Sequence, residues 1–155
     1  MLARLRGAKY FSKLDLRDGY HQVPIKESDH FKMAFTYHYG MFEFNVMTFG
    51  IKNAPAHFQY SMNLLLADVL HKCVLVYMDD ILIYSKTAAE HRNHVKQVFV
   101  RLNAKGWHIK QKKCALFLPA IEFLGHVVSA DGVKVVESKV DAIKQWPEPG
   151  CIRNM

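Results

Sequence analysis

Apolar residues recur along the chain at two different spacings, which predict short strands in some segments and helices in others. The strand-like segments are rich in β-branched and aromatic residues and are separated by turn residues. They lie at residues 10–16, 31–47, 73–77, 81–84, 114–118, 121–129 and 133–136. Segment 31–47 predicts two strands joined by a turn at Tyr39-Gly40-Met41, and an Asp131-Gly132 turn leads into the last strand.

Three further segments carry apolar residues at helical spacing. The first helix is expected to begin at the cap residue Asn53, with Pro55 in its first turn. Its buried face is expected at Phe58, Met62, Leu65 and Val69. Thr87 and Glu90 have the spacing of a capping box before the second helix. The apolar stripe of that helix is Val95, Val98, Phe99 and Leu102. A third helix covers about Ser138 to Trp146 and stops before a proline.

The order of these elements predicts the fold class. Strands and hairpins are separated by helices, which favours an α+β fold with a largely antiparallel sheet packed against helices on one face. The chain has 155 residues, half of them apolar, so it is the size of one domain and can bury a core without disulfides or metals. No internal repeat or low-complexity segment interrupts it.

Charge and cysteine content narrow the classes of function. There are 21 Lys and Arg against 14 Asp and Glu, a net charge of +7, which favours polyanions such as nucleic acid; solubility alone is the alternative explanation. The three cysteines are widely spaced, without the pattern of a disulfide framework or a zinc knuckle. His91 and His94 share a helix face and are interpreted as a polar surface. No apolar run matches a signal peptide or a bilayer span, so no membrane partner and no secretion are expected.

Two adjacent acids stand at the tip of the predicted hairpin in Tyr77-Met-Asp79-Asp80. Neighbouring carboxylates repel each other and lose hydration, so they require a proton or a countercharge. Mg²⁺ prefers oxygen ligands and binds carboxylates together with substrate phosphates. Asp15 ends an upstream strand and is the third candidate ligand; two ions about 3.5–4 Å apart would then serve nucleotidyl transfer. An ordinary polar turn is the alternative interpretation.

Four segments match known motifs in order and spacing. They are Lys13-Leu-Asp-Leu-Arg-Asp-Gly-Tyr-His-Gln-Val23, Phe49-Gly-Ile-Lys-Asn-Ala-Pro-Ala-His-Phe-Gln59, Tyr77-Met-Asp-Asp-Ile-Leu-Ile-Tyr-Ser85 and Phe123-Leu-Gly-His126. Together they resemble reverse transcriptases of gypsy-type LTR retrotransposons, and the resemblance runs from about Leu2 to Pro149. It implies a polymerase palm-like fold, RNA-directed DNA synthesis, and two Mg²⁺ ions, with Mn²⁺ as a substitute.

The resemblance also implies a role for individual residues. Asp15 and Asp79 would be the main ligands of both metal ions, and Asp80 would complete the acidic cluster. The positions implied to contact the incoming nucleotide are Leu16, Arg17, Asp18, Gly19, Tyr20, Phe49, Gly50 and Met78. Among them Gly19 would permit close approach of the triphosphate, and Tyr20 would exclude a 2′-hydroxyl. For Tyr20 and Met78, packing in the core is the alternative.

Two other implied roles concern the leaving group and the primer. Lys113 aligns with a lysine that protonates the departing pyrophosphate, although Lys110 and Lys112 leave that choice open and a solvated basic edge is the alternative. The residues matching the hairpin that grips the primer are Phe123, Leu124, Gly125 and His126. An ordinary buried strand would have a similar pattern.

The resemblance divides the chain into a palm with partial fingers and a shorter second region. Residues 1–136 would form the palm, with the partial fingers at about 20–48, and residues 137–155 the truncated start of a thumb or connection region. A linker-like segment, Pro147-Glu-Pro-Gly150, falls in the second region. Related enzymes extend further in both directions, so weak or absent polymerase activity is expected for this chain alone.

Partners and location also follow from the resemblance. The expected partners are an RNA template, a DNA primer, deoxynucleotides, and the RNase H and integrase domains of a polyprotein. The expected location is the cytoplasm or a virus-like particle. Thr48 and His57 depart from the usual motif residues. The alternatives are a noncatalytic remnant that binds nucleic acid and a pseudogene fragment without a selected function.

Overall fold

The computed structural model describes residues 2–146, with side chains from Arg4 onward. The strands are β1 (Tyr10–Asp15), β2 (Ala34–Tyr37), β3 (Gly40–Glu43), β4 (Val74–Tyr77), β5 (Asp80–Ser85), β6 (Ala115–Leu118), β7 (Ala120–Phe123), β8 (His126–Ser129) and β9 (Gly132–Val135). The helices are α1 (Ala54–Leu65), α2 (Ala88–Ala104) and α3 (Glu137–Lys144). In this part of the chain, no helix combines the length and apolar character needed to cross a bilayer. The predicted linker at 147–150 lies outside the described residues.

The central sheet has four antiparallel strands in the order β4-β5-β1-β6. Successive side chains of a strand point to opposite faces, so a strand contributes side chains to the core on each face of the sheet. The residues facing α1 and α2 are Leu14, Val74, Val76, Ile81 and Ile83. The residues on the other face are Phe11, Leu75, Leu82 and Tyr84, which pack with Ile121, Phe123 and Val128. The prediction of helices on one face is confirmed, and the β7-β8 hairpin covers the other face.

Two smaller sheets accompany the central one. β2 and β3 form an exposed hairpin, as predicted for segment 31–47, and β7, β8 and β9 form a three-stranded sheet. Segment 121–129 is two strands, because the chain reverses at Leu124-Gly125, where both residues have positive φ (52° and 72°). All three sheets described here are antiparallel.

Helix α1 is shorter than its apolar pattern predicts. It starts after Asn53, whose side chain makes no capping hydrogen bond, and it ends at Leu65. Val69 is buried, but the prediction that it lies on the helix is wrong. The chain tightens into turns after Leu65, and the Val69 N–H donates to the Leu66 carbonyl at 3.0 Å. A turn therefore buries Val69 where a further helical turn was expected.

Helix α2 has the capping box predicted for Thr87 and Glu90, but the predicted exposure of one of its histidines is wrong. His91 is fully buried, so the prediction of a polar surface is wrong for this residue. Its Nε2 lies 2.7 Å from Ser12 Oγ and its Nδ1 lies 2.8 Å from Ser85 Oγ. Burial lowers the pKa of His91, and repulsion from His94 adds to the effect, so the ring is neutral at physiological pH. His91 joins α2 to two strands of the sheet.

Candidate active site

Three acidic residues lie at one edge of the central sheet. Asp15 is the last residue of β1 and pairs directly with Asp80, the first residue of β5. Asp79 lies in the turn between β4 and β5. Asp15 and Asp80 have the same strand parity as Phe11 and Leu82, so they stand on the sheet face opposite α1 and α2. The hairpin thus brings together the three acids that the sequence singled out.

The charges at this edge are only partly compensated. Like charges directly opposite each other on neighbouring strands are destabilising. Lys13 Nζ lies 3.0 Å from Asp80 Oδ1, and Lys113 Nζ lies 3.8 Å from Asp15 Oδ2. Loss of hydration raises the pKa of Asp79, repulsion from Asp15 and then Asp80 raises it further, and Lys113 opposes the shift. Asp79 itself remains accessible to solvent at the hairpin tip.

The tip of the β4-β5 hairpin is held by a glutamine of α1. Met78 adopts a left-handed backbone conformation, with φ 52°. Gln59 Oε1 accepts the Met78 N–H at 2.8 Å, and Gln59 Nε2 donates to the Val76 carbonyl at 3.3 Å. Gln59 was not predicted as a site residue. Its amide hydrogen-bonds the backbone of the β4-β5 hairpin, and the sequence alone does not indicate that the two are neighbours.

Residues 16–19 leave β1 and turn beside Asp79. The Leu16 side chain is buried in the core, so only its backbone faces the site edge. Asp18 has φ 47°, in the left-handed region. A Cβ at Gly19 would lie 2.9 Å from Phe58 Cζ and 3.4 Å from Asp79 Oδ1. Gly19 therefore permits a close approach that a larger residue would block.

A second glutamine, Gln22, ties this turn to residues 108–110. Gln22 Nε2 donates to the carbonyls of Arg17 and His108, and its Oε1 accepts the His108 N–H at 2.6 Å. The Lys110 N–H donates to the Asp15 carbonyl at 2.8 Å. These bonds fix the start of the segment that leads to Lys113. Gln22 also lay outside the predicted set, since its partner His108 is 86 residues away in the sequence.

Tyr20 and Phe49 form an aromatic step beside the carboxylates. The Tyr20 ring lies 5.1 Å from that of Phe49 and 5.3 Å from that of Phe58. Burial raises the pKa of Tyr20, and the Asp79 charge adds to the effect. Phe49 is 80% exposed, and Gly50 next to it has φ +94°. Tyr20 therefore packs on the core and also borders the acidic edge.

The remaining predicted residues differ in their distance from the acids. Among the three candidate lysines, Lys113 is the one with an ion pair to Asp15 within the described residues. Phe123 is fully buried, and His126 Nδ1 lies 3.0 Å from the Leu124 carbonyl across the β7-β8 turn. No hydrogen bond or ion pair between residues 4 and 146 joins this turn to the three carboxylates.

The donor set at the sheet edge fits a hard divalent cation. From residue 2 to residue 146, no three His, Cys, Asp or Glu side chains converge into a metal-binding group in this conformation. Asp15, Asp79 and Asp80 nevertheless offer only oxygen donors, and their mutual repulsion favours a cation. Lys13 and Lys113 also contribute positive charge at this edge.

Comparison with known proteins identifies the family. The family model for reverse transcriptase (RNA-dependent DNA polymerase) matches residues 1–128. The chain is 40% identical over 149 residues to the transposon Tf2-3 and Tf2-4 polyproteins of Schizosaccharomyces pombe (strain 972 / ATCC 24843). The match covers 96% of the chain and 11% of each polyprotein. The chain therefore spans about a tenth of the length of these relatives.

Solved structures agree with this result. A foamy viral protease-reverse transcriptase in complex with double-stranded DNA matches with a TM-score of 0.89 and 28% identity, covering 99% of the chain and 27% of that protein. The foamy viral enzyme with an RNA/DNA hybrid matches with a TM-score of 0.82 and 28% identity, covering 99% and 21%. The predicted α+β, polymerase palm-like fold is thereby confirmed. The chain belongs to the reverse transcriptase family and is similar to the reverse transcriptase domain of Tf2 retrotransposon polyproteins.

Proposed function

We propose that this chain is the RNA-directed DNA polymerase domain of a gypsy-type LTR retrotransposon polyprotein, adding deoxynucleotides to a primer 3′ end. The observation that carries the proposal is the pairing of Asp15 with Asp80 beside Asp79 at one sheet edge. The raised pKa of Asp79 reflects crowded negative charge, which a divalent cation relieves. Members of this family generally use divalent metal ions.

Asp15, Asp79 and Asp80 would hold two Mg²⁺ ions, or Mn²⁺ in their place. When bound, such ions activate the primer 3′ oxygen and stabilise the charge on the leaving phosphate. The primer 3′-hydroxyl would lose its proton to solvent, and its oxygen would form a bond to the α-phosphorus as the bond to pyrophosphate breaks. Lys113, 3.8 Å from Asp15, would supply a proton to the departing pyrophosphate. Lys13 would keep Asp80 oriented through their 3.0 Å ion pair.

The incoming nucleotide would lie against the turn that follows β1. The backbone of Leu16, Arg17 and Asp18 would face the triphosphate, and Gly19 would keep that approach open. Tyr20 would lie under the sugar, where a 2′-hydroxyl meets its ring. The other proposed nucleotide contacts are Phe49, Gly50 and Met78. The proposed primer grip is Phe123, Leu124, Gly125 and His126.

The proposed domain division follows the same scheme. Residues 1–136 would form the palm, with partial fingers at about 20–48, and residues 137–155 would begin a thumb or connection region. An RNA template, a DNA primer and deoxynucleotides would be the substrates, which the nucleic-acid complexes of the foamy viral enzymes support. RNase H and integrase domains of the polyprotein would be partners, in the cytoplasm or in virus-like particles.

Primer extension on an RNA template tests this function. We expect Asp79→Asn to reduce extension by about 10²-fold or more, because it removes a charge that stabilises the transition state. Asp131→Asn, in an exposed turn, makes the same charge change and should have no effect. Each form is assayed as the 155-residue chain, expected to be weakly active, and within a longer protein carrying flanking Tf2-type segments. Equal extension by Asp79→Asn and the unchanged protein would contradict the proposal.

Noncatalytic nucleic-acid binding is the second candidate function. It is favoured by the net charge of +7 and by the lysines that already offset two of the carboxylates. In that case no form extends a primer, in either setting, while each still binds oligonucleotides. Asp79→Asn would then leave the measured affinity unchanged or slightly stronger.

A further inference from the structure

A basic pocket lies at the end of β5 opposite the carboxylates. It is a cavity of about 570 Å³ bordered by Tyr84 and Ser85 at the end of that strand. The distance from Asp80 to Ser85 along the strand is about 17 Å, at about 3.4 Å per residue. The positively charged side chains that line the basic pocket are Arg4, Arg6, Lys72 and Lys86. Two histidines, His71 and His94, also line it.

The positive charge of the basic pocket is only partly compensated within the described chain. None of its four permanent cations forms an ion pair with an acid between residues 4 and 146. Glu90 is the acidic lining residue, and its Oε2 is occupied by the Thr87 N–H at 3.2 Å in the capping box of α2. The four cations and Glu90 together give the lining a net charge of +3, with the histidines left out of the count. Mutual repulsion of these cations favours an anionic ligand.

The rim of the basic pocket is held in place by hydrogen bonds. Arg4 Nη1 and the Tyr84 hydroxyl both donate to the His71 carbonyl, each at 3.2 Å. They hold His71 in a left-handed conformation, with φ 62°, next to Lys72. The N-terminal segment, the turn before β4 and the segment between β5 and α2 therefore supply cations to one cavity from three separate parts of the chain.

The lining also indicates what the basic pocket would not recognise. Base stacking needs an exposed aromatic face. Apart from the imidazoles of His71 and His94, the aromatic side chain in the described lining is Tyr84, which is only 7% exposed and whose hydroxyl donates to the His71 carbonyl. Contacts to phosphate position a strand without reading its sequence. A ligand here would be recognised by its charge.

We propose that the basic pocket binds the sugar-phosphate backbone of a nucleic acid strand, without base preference, at a site separate from the carboxylate edge. Nucleic acid is favoured over an acidic protein because the family synthesises DNA on an RNA template. In this respect the proposal rests on the proposed function. A strand engaged at the carboxylates would also have a raised effective concentration at a second site on the same molecule.

Salt-dependent binding of a fluorescein-labelled 20-nucleotide single strand to the 155-residue chain tests this site. Anisotropy is measured for the unchanged chain and for the double variant Lys72→Gln with Lys86→Gln. Each lost phosphate contact lowers the slope of log affinity against log salt by about 0.7 for a single strand. We expect a slope lower by about 1.4 and affinity weaker on the order of tenfold at 0.1 M salt. Two strands of different sequence should give equal values.

The matched control is Lys96→Gln with Lys134→Gln, which removes the same charge from exposed positions outside the basic pocket. An equal effect of both pairs would overturn the proposal in favour of general charge attraction, and so would no effect of either. Protection of Lys72 and Lys86 from chemical acetylation by the bound strand would support it without any substitution. Polyglutamate that displaces the strand equally well per negative charge would point to an acidic protein and overturn it.

This binding test is independent of catalysis. All variants keep Asp15, Asp79 and Asp80, and no deoxynucleotide is present. Loss of the pocket effect with normal primer extension would refute the basic pocket alone. A pocket effect in a protein that extends no primer in any setting would refute the proposed polymerase activity alone.

Discussion

Gly19 lies where the structure leaves little room for a Cβ atom. A Cβ there would lie 2.9 Å from Phe58 Cζ and 3.4 Å from Asp79 Oδ1, so Gly19→Ala would push on both the core and the acidic edge. We expect Gly19→Ala to lower the free energy of unfolding by about 1–3 kcal/mol, the usual cost of overpacking. Urea unfolding measures this change.

Shortening Phe58 provides the control for that substitution. Phe58→Leu alone should destabilise the fold by leaving a cavity, but in combination with Gly19→Ala it removes the obstructing ring atoms. The double variant should therefore lose less unfolding free energy than the two single variants lose together, with a coupling of about 0.5 kcal/mol or more. Strict additivity would show that the steric contact does not limit this position.

Among single residues, the acidic side chains of the site were predicted from the sequence, whereas the glutamine side chains that hold the surrounding backbone were not. Asp15, Asp79 and Asp80 were predicted from strand ends and motifs, and the structure brings them to one edge. Gln22 and Gln59 were missed because their amides bond to backbone atoms of other segments. Contacts of this kind depend on the packed fold, so no spacing in the sequence indicates them.

Among the elements, α2 combines an accurate prediction with an instructive error. The capping box and the apolar stripe are where the sequence predicts them. His91 lies four residues before Val95 and seven before Val98, so it belongs to the same buried stripe. That signal was present in the sequence, but a histidine at a stripe position was interpreted as polar surface. Two serines on the sheet satisfy the ring and make its burial tolerable.

Burial of neutral His91 predicts a pH dependence of stability. Its pKa falls below the ordinary value of 6.5 on folding, so the unfolded chain binds more protons as pH drops through that range. The stabilisation is fully present above about pH 6.5 and is lost as pH falls through the lower folded pKa. His91→Gln should flatten the pH dependence between pH 7 and 5, and should lower stability at pH 7 by about 1–3 kcal/mol.

Urea unfolding at several pH values measures this effect. His38→Gln, at an exposed position of the β2-β3 turn, is the matched control and should leave the pH dependence unchanged. Parallel pH curves for His91→Gln and the unchanged chain would mean that His91 does not account for the acid sensitivity. The side chains that surround the His91 ring, and against which its protonation is judged, are Ser12, Ser85, His94, Tyr10 and Phe117.

For the whole molecule, burial is uneven. The central sheet is covered on both faces, whereas the β2-β3 hairpin exposes its aromatic and apolar side chains. Phe35 stacks with Phe42 at 5.8 Å and with Phe44 at 4.8 Å on one face of this hairpin. The sequence predicted the hairpin, but alternation alone could not indicate that both of its faces are solvent-exposed in this chain.

An exposed apolar surface of this kind favours aggregation. We expect Phe35→Thr to reduce light scattering of the concentrated protein, while the central sheet keeps its stability because the hairpin is a separate sheet. Val100→Thr removes an isolated exposed apolar residue on α2 and should change scattering little. If both substitutions reduced scattering equally, the hairpin would not be the source.

The position of β1 also has a consequence for synthesis on the ribosome. Among the strands described here, β1 is made before the others, yet it lies between β5 and β6, which are made later. Asp80 follows Asp15 by 65 residues, which takes about 3–13 s to translate at 5–20 residues per second. During that interval Phe11 and Leu14 lack their partners on β5. The nascent chain therefore exposes an apolar segment that chaperones can bind. The carboxylate edge can assemble only after Asp80 has been made, 65 residues after Asp15.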